Sequence, residues 1–223
     1  MDKKFVGFDE MSKDELWDYN KLEYDSQNPI SKKLYANFYK KIDFVLENYL
    51  KKNDALLEVG CGAAESSLRI HTKLLNLKFP TTFEASEYDN RYVEKINSLS
   101  YPFIVSQENV YSLSRDDNGF SMVFLLEVLE HLEFPKNALK ELFRVSSKYV
   151  VISVPNEPIW RLANMARFQY MKDFGNTPGH INHFNQSKLN ILLEPFGKIV
   201  KVFKPFPWII IVVENFNDFS KRL

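Results

Sequence analysis

The segment Leu56-Leu57-Glu58-Val59-Gly60-Cys61-Gly62 constrains this chain more than any other. The apolar run over 55–59 reads as a buried strand, two glycines one residue apart follow it, and a helical pattern over 64–76 comes next. Gly60 and Gly62 have no Cβ, so the backbone there can turn tightly and approach a ligand closely. The helix behind them offers unpaired N–H groups. The spacing is not GxGxxG, because Glu65 stands where the third glycine would be. That disfavours a dinucleotide pyrophosphate, and the Glu58 carboxylate favours a ligand bearing an ammonium group.

Beyond this turn, short apolar runs alternate with helical patterns. Strands are predicted over 55–59, 81–86, 102–106, 121–127 and 149–155, with helices over 64–76, through Tyr92, Val93 and Ile96, and onward from Pro135. Such alternation predicts an α/β fold, a Rossmann-like, doubly wound, mostly parallel sheet. The runs 198–204 and 208–214 flank Pro205–Pro207 and read as a hairpin closing one edge, which makes seven strands with an antiparallel C-terminal one. Ahead of the sheet, Leu34, Phe38, Ile42, Val45, Leu46 and Tyr49 recur at helical spacing after Pro29, in a helix ending at Asn53-Asp54. A shorter helix is predicted near Lys13–Asn20. Residues 1–54 are thus expected to be an N-terminal helical extension, and 55–223 the ligand-binding domain. The stretch 156–185 breaks the alternation after strand five, at the carboxyl ends where open α/β sheets bind ligands, so it is expected to be a lid over a substrate.

Length suits one such domain, since 223 residues are few for two. The 29 Lys+Arg balance 29 Asp+Glu, so no net field draws in phosphate backbones or anionic membrane. Cys61 is the single cysteine, which excludes an internal disulfide and a thiolate zinc cluster. The longest apolar stretch, Trp208–Val213, is far short of the ~20 residues that span a bilayer. The N-terminal residues lack the apolar run of a signal peptide. These features predict a cytoplasmic monomer or homodimer with neither membrane nor nucleic acid as partner.

Polar residues at the later strand ends narrow the ligand further. Glu87 ends the second strand, where a carboxylate can accept from both hydroxyls of a ribose. Asn109 follows the third, and its amide can accept from an adenine amino group and donate to a ring nitrogen. Each alone is explained by a helix cap or a loop contact; three in order after successive strands are not.

The runs LLEVGCG, FEASEYD, ENVYSL, DDNGFSMVFLLEVLEHL and ALKELFRVSSKYVVISVPN together resemble the class I S-adenosylmethionine-dependent methyltransferases, over roughly residues 55–214. The resemblance implies that Glu58, Gly60 and Gly62 line the methionine part of S-adenosylmethionine, Glu87 the ribose, and Asn109 with Val110 the adenine. Tyr88 and Glu127 join them as cofactor-binding positions. The family more often has Asp at positions 87 and 109, and the residues present keep the acceptor oxygens.

A second cluster is Glu127, Glu130 and His131 at the end of strand four, which a helix would place on neighbouring faces. Downstream lie His180 and His183, so three of the four histidines fall in these two motifs. Three readings stay open. His131 can orient a loop; His131 or His183 can be a catalytic base; or Glu127, Glu130, His131 and His183, with His180 as the alternative fourth ligand, can hold a divalent metal such as Mg or Mn. ExxEH followed by HxxHF is similar to the metal-binding pattern of small-RNA 2′-O-methyltransferases, and ubiquinone-pathway O-methyltransferases share ExxEH. Trp160, Phe168 and Tyr170 in the insertion are candidate acceptor-pocket residues, and Arg161 and Arg167 candidate anion holders. The expected function is methyl transfer from S-adenosylmethionine to an oxygen, less readily a nitrogen, of a small-molecule acceptor. The alternatives are a metal-dependent RNA 2′-O-methyltransferase and a non-catalytic S-adenosylmethionine-binding protein.

Overall fold

The computed structural model describes residues 12–15, 17–18, 28–77, 81–166, 171–177 and 179–216. Seven strands form one sheet: β1 (Ala55–Val59), β2 (Thr82–Glu87), β3 (Val105–Gln107), β4 (Phe120–Leu126), β5 (Ser146–Pro155), β6 (Gly197–Phe203) and β7 (Trp208–Asn215). Their order is β3-β2-β1-β4-β5-β7-β6. Every pairing from β3 to β5 is parallel; β7 alone runs the other way, antiparallel to both β5 and β6. The C-terminal hairpin forms as expected, but its second strand lies inside the sheet and β6 takes the edge.

Side chains of a strand alternate between faces, and the two cores follow that alternation. Leu57, Val59, Val123, Leu125, Val150 and Ile152 face α4 (Pro135–Val145) and α6 (Gln186–Leu193). Leu56, Met122, Phe124, Leu126, Val151 and Ile210 face α1 (Pro29–Tyr49) and α2 (Glu65–Leu75). A third cluster joins Ala85 and Val105 to Tyr92, Val93 and Ile96 of α3 (Asn90–Ser98), with Trp17 against Tyr92. Burial of this kind makes single truncations costly; Phe124→Ala would lose ~3–5 kcal/mol.

Two boundaries differ from the sequence reading. α1 stops at Tyr49, because Leu50 turns extended and the Asp54 carboxylate takes the Lys51 amide at 2.8 Å. β3 is short and late: it pairs with β2 only over Ala85–Glu87, although Phe103 is already buried. Residues 13–15 and 17–18 are helical, as predicted near Lys13–Asn20, and the rest of that stretch lies outside the described residues. The insertion contains α5 (Ile159–Ala166) and a 3-10 turn at Met171–Asp173. Arg167, Phe168 and Tyr170 lie outside the described residues. No helix among those described is long and apolar enough to cross a membrane.

Candidate functional site

The glycine turn leaves β1 at the carboxyl edge of the sheet. The Gly60 and Cys61 amides both donate to the Ser86 carbonyl, at 2.8 and 3.0 Å, which ties the turn to the end of β2. Gly60 (φ +75°) and Gly62 (φ +53°) are left-handed. A Cβ on Gly60 would lie 2.7 Å from Val128, and one on Gly62 would meet nothing within 4 Å. The first glycine therefore permits contact with the turn after β4, and the second keeps space open beside the backbone.

One buried and one half-buried carboxylate flank that space. Glu58 accepts from the Ser67 hydroxyl of α2, and its Oε1 makes no hydrogen bond. Burial pushes its carboxyl up to about 7, against the opposing effect of Ser66 and Ser67. Glu87 accepts from the Gly62 amide at Oε2 (2.8 Å) and from the Tyr88 and Asp89 amides at Oε1 (2.7 and 3.0 Å). Burial raises its pKa and these backbone donors oppose the rise. A carboxylate has about four lone-pair sites, so Glu87 is held in place with acceptor capacity to spare. Tyr88 is exposed beside it. Asn109 is exposed and its Oδ1 accepts from the Tyr111 amide at 2.9 Å, while Val110 packs on the core.

The turn after β4 is not the helix its spacing suggested. Glu127 is left-handed (φ +56°), and a single 3-10 turn spans Leu129–His131. Glu127 is gripped by β5: its amide donates to Ser153 Oγ at 3.0 Å, and that hydroxyl donates to Glu127 Oε1 at 2.6 Å. Glu130 points inward, 2% exposed, with Oε2 unpartnered; burial and the Glu127 charge raise its pKa well above the usual range.

The far end of the insertion is fastened to this turn. The Ile181 and Asn182 amides donate to the Glu130 carbonyl (3.1 and 3.0 Å), and the Asn182 side chain donates to Leu132 O at 2.7 Å. His131 Nδ1 lies 2.9 Å from the Gly179 carbonyl. The His131 and His180 rings meet edge to face at 4.8 Å, with Trp160 stacked beyond His180. Burial lowers the pKa of His131, and burial with the two neighbouring histidines pushes His180 down to about 4. Trp160 Nε1 and Asn164 Nδ2 both donate to Thr177 Oγ1, and Asn164 also holds Gly175 O, so α5 braces the loop that presents His180.

The group that closes on itself is Glu130, His131 and His180, with one ligand atom from each lying within 4.8 Å of the others. Glu127 and His183 stand outside it. His183 belongs with Glu157, a residue the sequence reading passed over. Glu157 is 8% exposed, neither of its carboxylate oxygens has a hydrogen-bond partner, and His183 Nδ1 lacks one too. Burial raises the Glu157 pKa and the His183 charge opposes the rise. Only its place directly after a strand end could have flagged it.

No curated protein matches the sequence. Solved structures do match the fold. A magnesium protoporphyrin IX methyltransferase from Synechocystis, crystallised with bound SAH, is 13% identical at TM-score 0.65, over 88% of this chain and 92% of that one. A SAM-dependent methyltransferase from Aquifex aeolicus is 17% identical at 0.64, over 92% and 100%. Another from Methanosarcina mazei is 20% identical at 0.57, over 77% and 96%. At these identities the likeness establishes the fold alone. The family rests on the sequence itself, in which residues 31–198 match the model of a methyltransferase domain. The glycine turn, the carboxylate-lined space beside it and that match agree: the chain is an enzyme of the class I S-adenosylmethionine-dependent methyltransferases.

Proposed function

We propose that the enzyme transfers the sulfonium methyl of S-adenosylmethionine to an oxygen, less readily a nitrogen, of a small-molecule acceptor. The observation that carries this reading is the contact between His131 and Gly179. A carbonyl can only accept, so Nδ1 holds the ring proton and Nε2 keeps its lone pair. The lowered pKa keeps the imidazole neutral and able to take a proton near pH 7. The new O–C bond forms as C–S breaks, S-adenosylhomocysteine leaves, and the acceptor proton passes to Nε2. The sulfonium is already a strong electrophile, so the remaining task is in-line positioning.

In this reading Glu58, Gly60 and Gly62 hold the methionine end of the cofactor, Glu87 and Tyr88 the ribose, and Asn109 and Val110 the adenine. Glu127 stands between cofactor and acceptor, and His183 beside Glu157 is the second candidate base. Residues 156–185 wall the acceptor site, and residues 1–54 extend the 55–223 domain. The balanced charge of the chain supports a small molecule over RNA, as does the porphyrin named for the Synechocystis neighbour. The same balance, with no candidate span, supports a cytoplasmic place.

One observation favours a second reading. The Glu130, His131 and His180 cluster, with Glu130 Oε2 unpartnered, suits a divalent cation. Mg or Mn held by these three side chains would lower the pKa of an acceptor hydroxyl. The deciding experiment is transfer of labelled methyl from S-adenosylmethionine to a panel of metabolites, with and without EDTA. Transfer to hydroxyl acceptors that withstands EDTA is expected. Loss in EDTA with recovery on Mn or Mg selects the metal reading, and transfer confined to RNA or to amines overturns the proposal.

A further inference from the structure

We propose that the Tyr39 hydroxyl donates a hydrogen bond to the carboxylate at the amino-acid end of the cofactor, a placement that rests on S-adenosylmethionine being the ligand of the glycine turn. The axis of α1 supplies the first argument. At its middle, Phe38 packs on Trp208 with ring centroids 5.2 Å apart, and Trp208 pairs with Pro155 at the carboxyl end of β5. At its other end, Tyr49 meets Tyr149, close to where β5 begins. The middle of α1, with Tyr39, therefore lies at the carboxyl edge of the sheet, level with the glycine turn.

The second argument is the face. Leu56 and Tyr39 share one core cluster. Side chains two apart on a strand point the same way, so Glu58 projects from β1 on that face too. The third is the neighbouring helix. The Tyr39 ring lies 4.4 Å from the Arg69 guanidinium, one turn after Glu65 opens α2 directly behind the glycines. Tyr39 is thus wedged between α1 and the first turns of α2, 7% exposed, and none of the hydrogen bonds among the described residues uses its hydroxyl.

Burial above all decides what that hydroxyl does. It disfavours ionisation, the Glu58, Glu65 and Glu127 charges add to this, and Arg69 alone opposes it. The phenol keeps its proton and remains a donor. The amino-acid end of the ligand is a zwitterion. Its ammonium finds carboxylates here, but its carboxylate would meet three like charges unless a neutral donor stood among them. Tyr39 is that donor, and Arg69 over its ring face polarises the O–H further.

Decarboxylated S-adenosylmethionine differs from the cofactor in this one group, which makes the test direct. Calorimetry on the wild-type chain should show S-adenosylmethionine bound about tenfold more tightly than the decarboxylated form, the worth of one hydrogen bond to a charged group. Tyr39→Phe keeps the ring on Arg69 and should bring the ratio close to one. 5′-Methylthioadenosine, which lacks the whole amino-acid end, should bind both proteins alike. An unchanged ratio in Tyr39→Phe overturns the proposal, as do equal binding of both ligands by the wild type and a matching loss of 5′-methylthioadenosine. A variant that no longer melts cooperatively would assign Tyr39 to packing and overturn it as well. A wild-type chain that binds none of the three removes the cofactor reading itself, a different result from any of these.

Discussion

The two halves of the sheet's carboxyl edge are built on opposite terms. On the β1–β2 side Glu87 and the glycine turn are held by backbone: three amides hold Glu87, and the turn hangs on one carbonyl of the next strand, while Glu58 Oε1 and Ser86 Oγ stay unpartnered. On the β4–β5 side, Glu130, Glu157 and His183 carry buried atoms with no hydrogen-bond partner. Order on that side comes from Ser153 of β5, which holds Glu127, and from a distant loop, whose Gly179 meets His131 across 48 residues of chain. A buried polar group left unpaired costs ~1–3 kcal/mol, so a cluster of them marks a place where a ligand supplies the missing partners. Under the proposed function, the first half is the cradle of the constant ligand and the second is a shell that the acceptor finishes.

The sharpest attempt to separate the halves is His131→Ala. Loss of a positioned base should slow methyl transfer by ~100- to 10,000-fold, while cofactor affinity measured by calorimetry stays within about twofold of wild type. A parallel fall in affinity would mean that the halves are one unit. Glu87→Ala makes the converse cut. Removing an acceptor of both ribose hydroxyls should weaken cofactor binding ~30- to 100-fold, or ~2–3 kcal/mol, and an unchanged dissociation constant would place the ribose elsewhere. Asn164→Ala acts only through the loop, since Asn164 is 2% exposed and braces Gly175 and Thr177. The acceptor KM should rise about tenfold with no change in cofactor affinity; the reverse pattern would put the acceptor beside α1.

The smallest effect is a proton count. Glu58 has a folded pKa of about 7 against an ordinary 4.5, so the free fold binds that proton more tightly than the unfolded chain does. Its contribution to stability is therefore fully present below pH 4.5 and lost as pH rises towards 7. A bound ammonium favours the ionised form and reverses this. Binding at pH 7 should release about half a proton, read from calorimetry in buffers of different ionisation enthalpy. Glu58→Gln should abolish the release, and its persistence would assign the proton to another group.

What could be read in advance follows the same division. β1 begins and ends where its apolar run does, and Glu58, Gly60, Gly62 and Glu87 meet at one edge because each sits at a strand end or in the turn that follows. Sheet periodicity is enough to place such residues. The β4–β5 side resisted because nothing periodic governs it. The i, i+3, i+4 spacing of Glu127, Glu130 and His131 suggested a helix, yet Glu127 turns left-handed under the pull of Ser153 on the next strand. His180 and His183 are three apart in an irregular segment, where spacing gives no face; contacts with His131 and Glu157 separate them. Glu157 looked like any surface charge until the fold buried it.

The place of β7 has a consequence for how the chain is made. Of the seven strands it is the last in the chain but not the last in the sheet, lying between β5 and β6 with all but one of its residues buried. Until residues 208–215 have been synthesised, β5 presents an open, apolar edge through Val150, Val151 and Ile152, the register that β7 later fills. β6 is already made and has no strand to pair with. Elsewhere nascent domains can consolidate from the N-terminus as they emerge; here the sheet closes only by admitting a latecomer into its interior. A ribosome that stalls before Trp208 would leave an unpaired edge of the kind that templates aggregation.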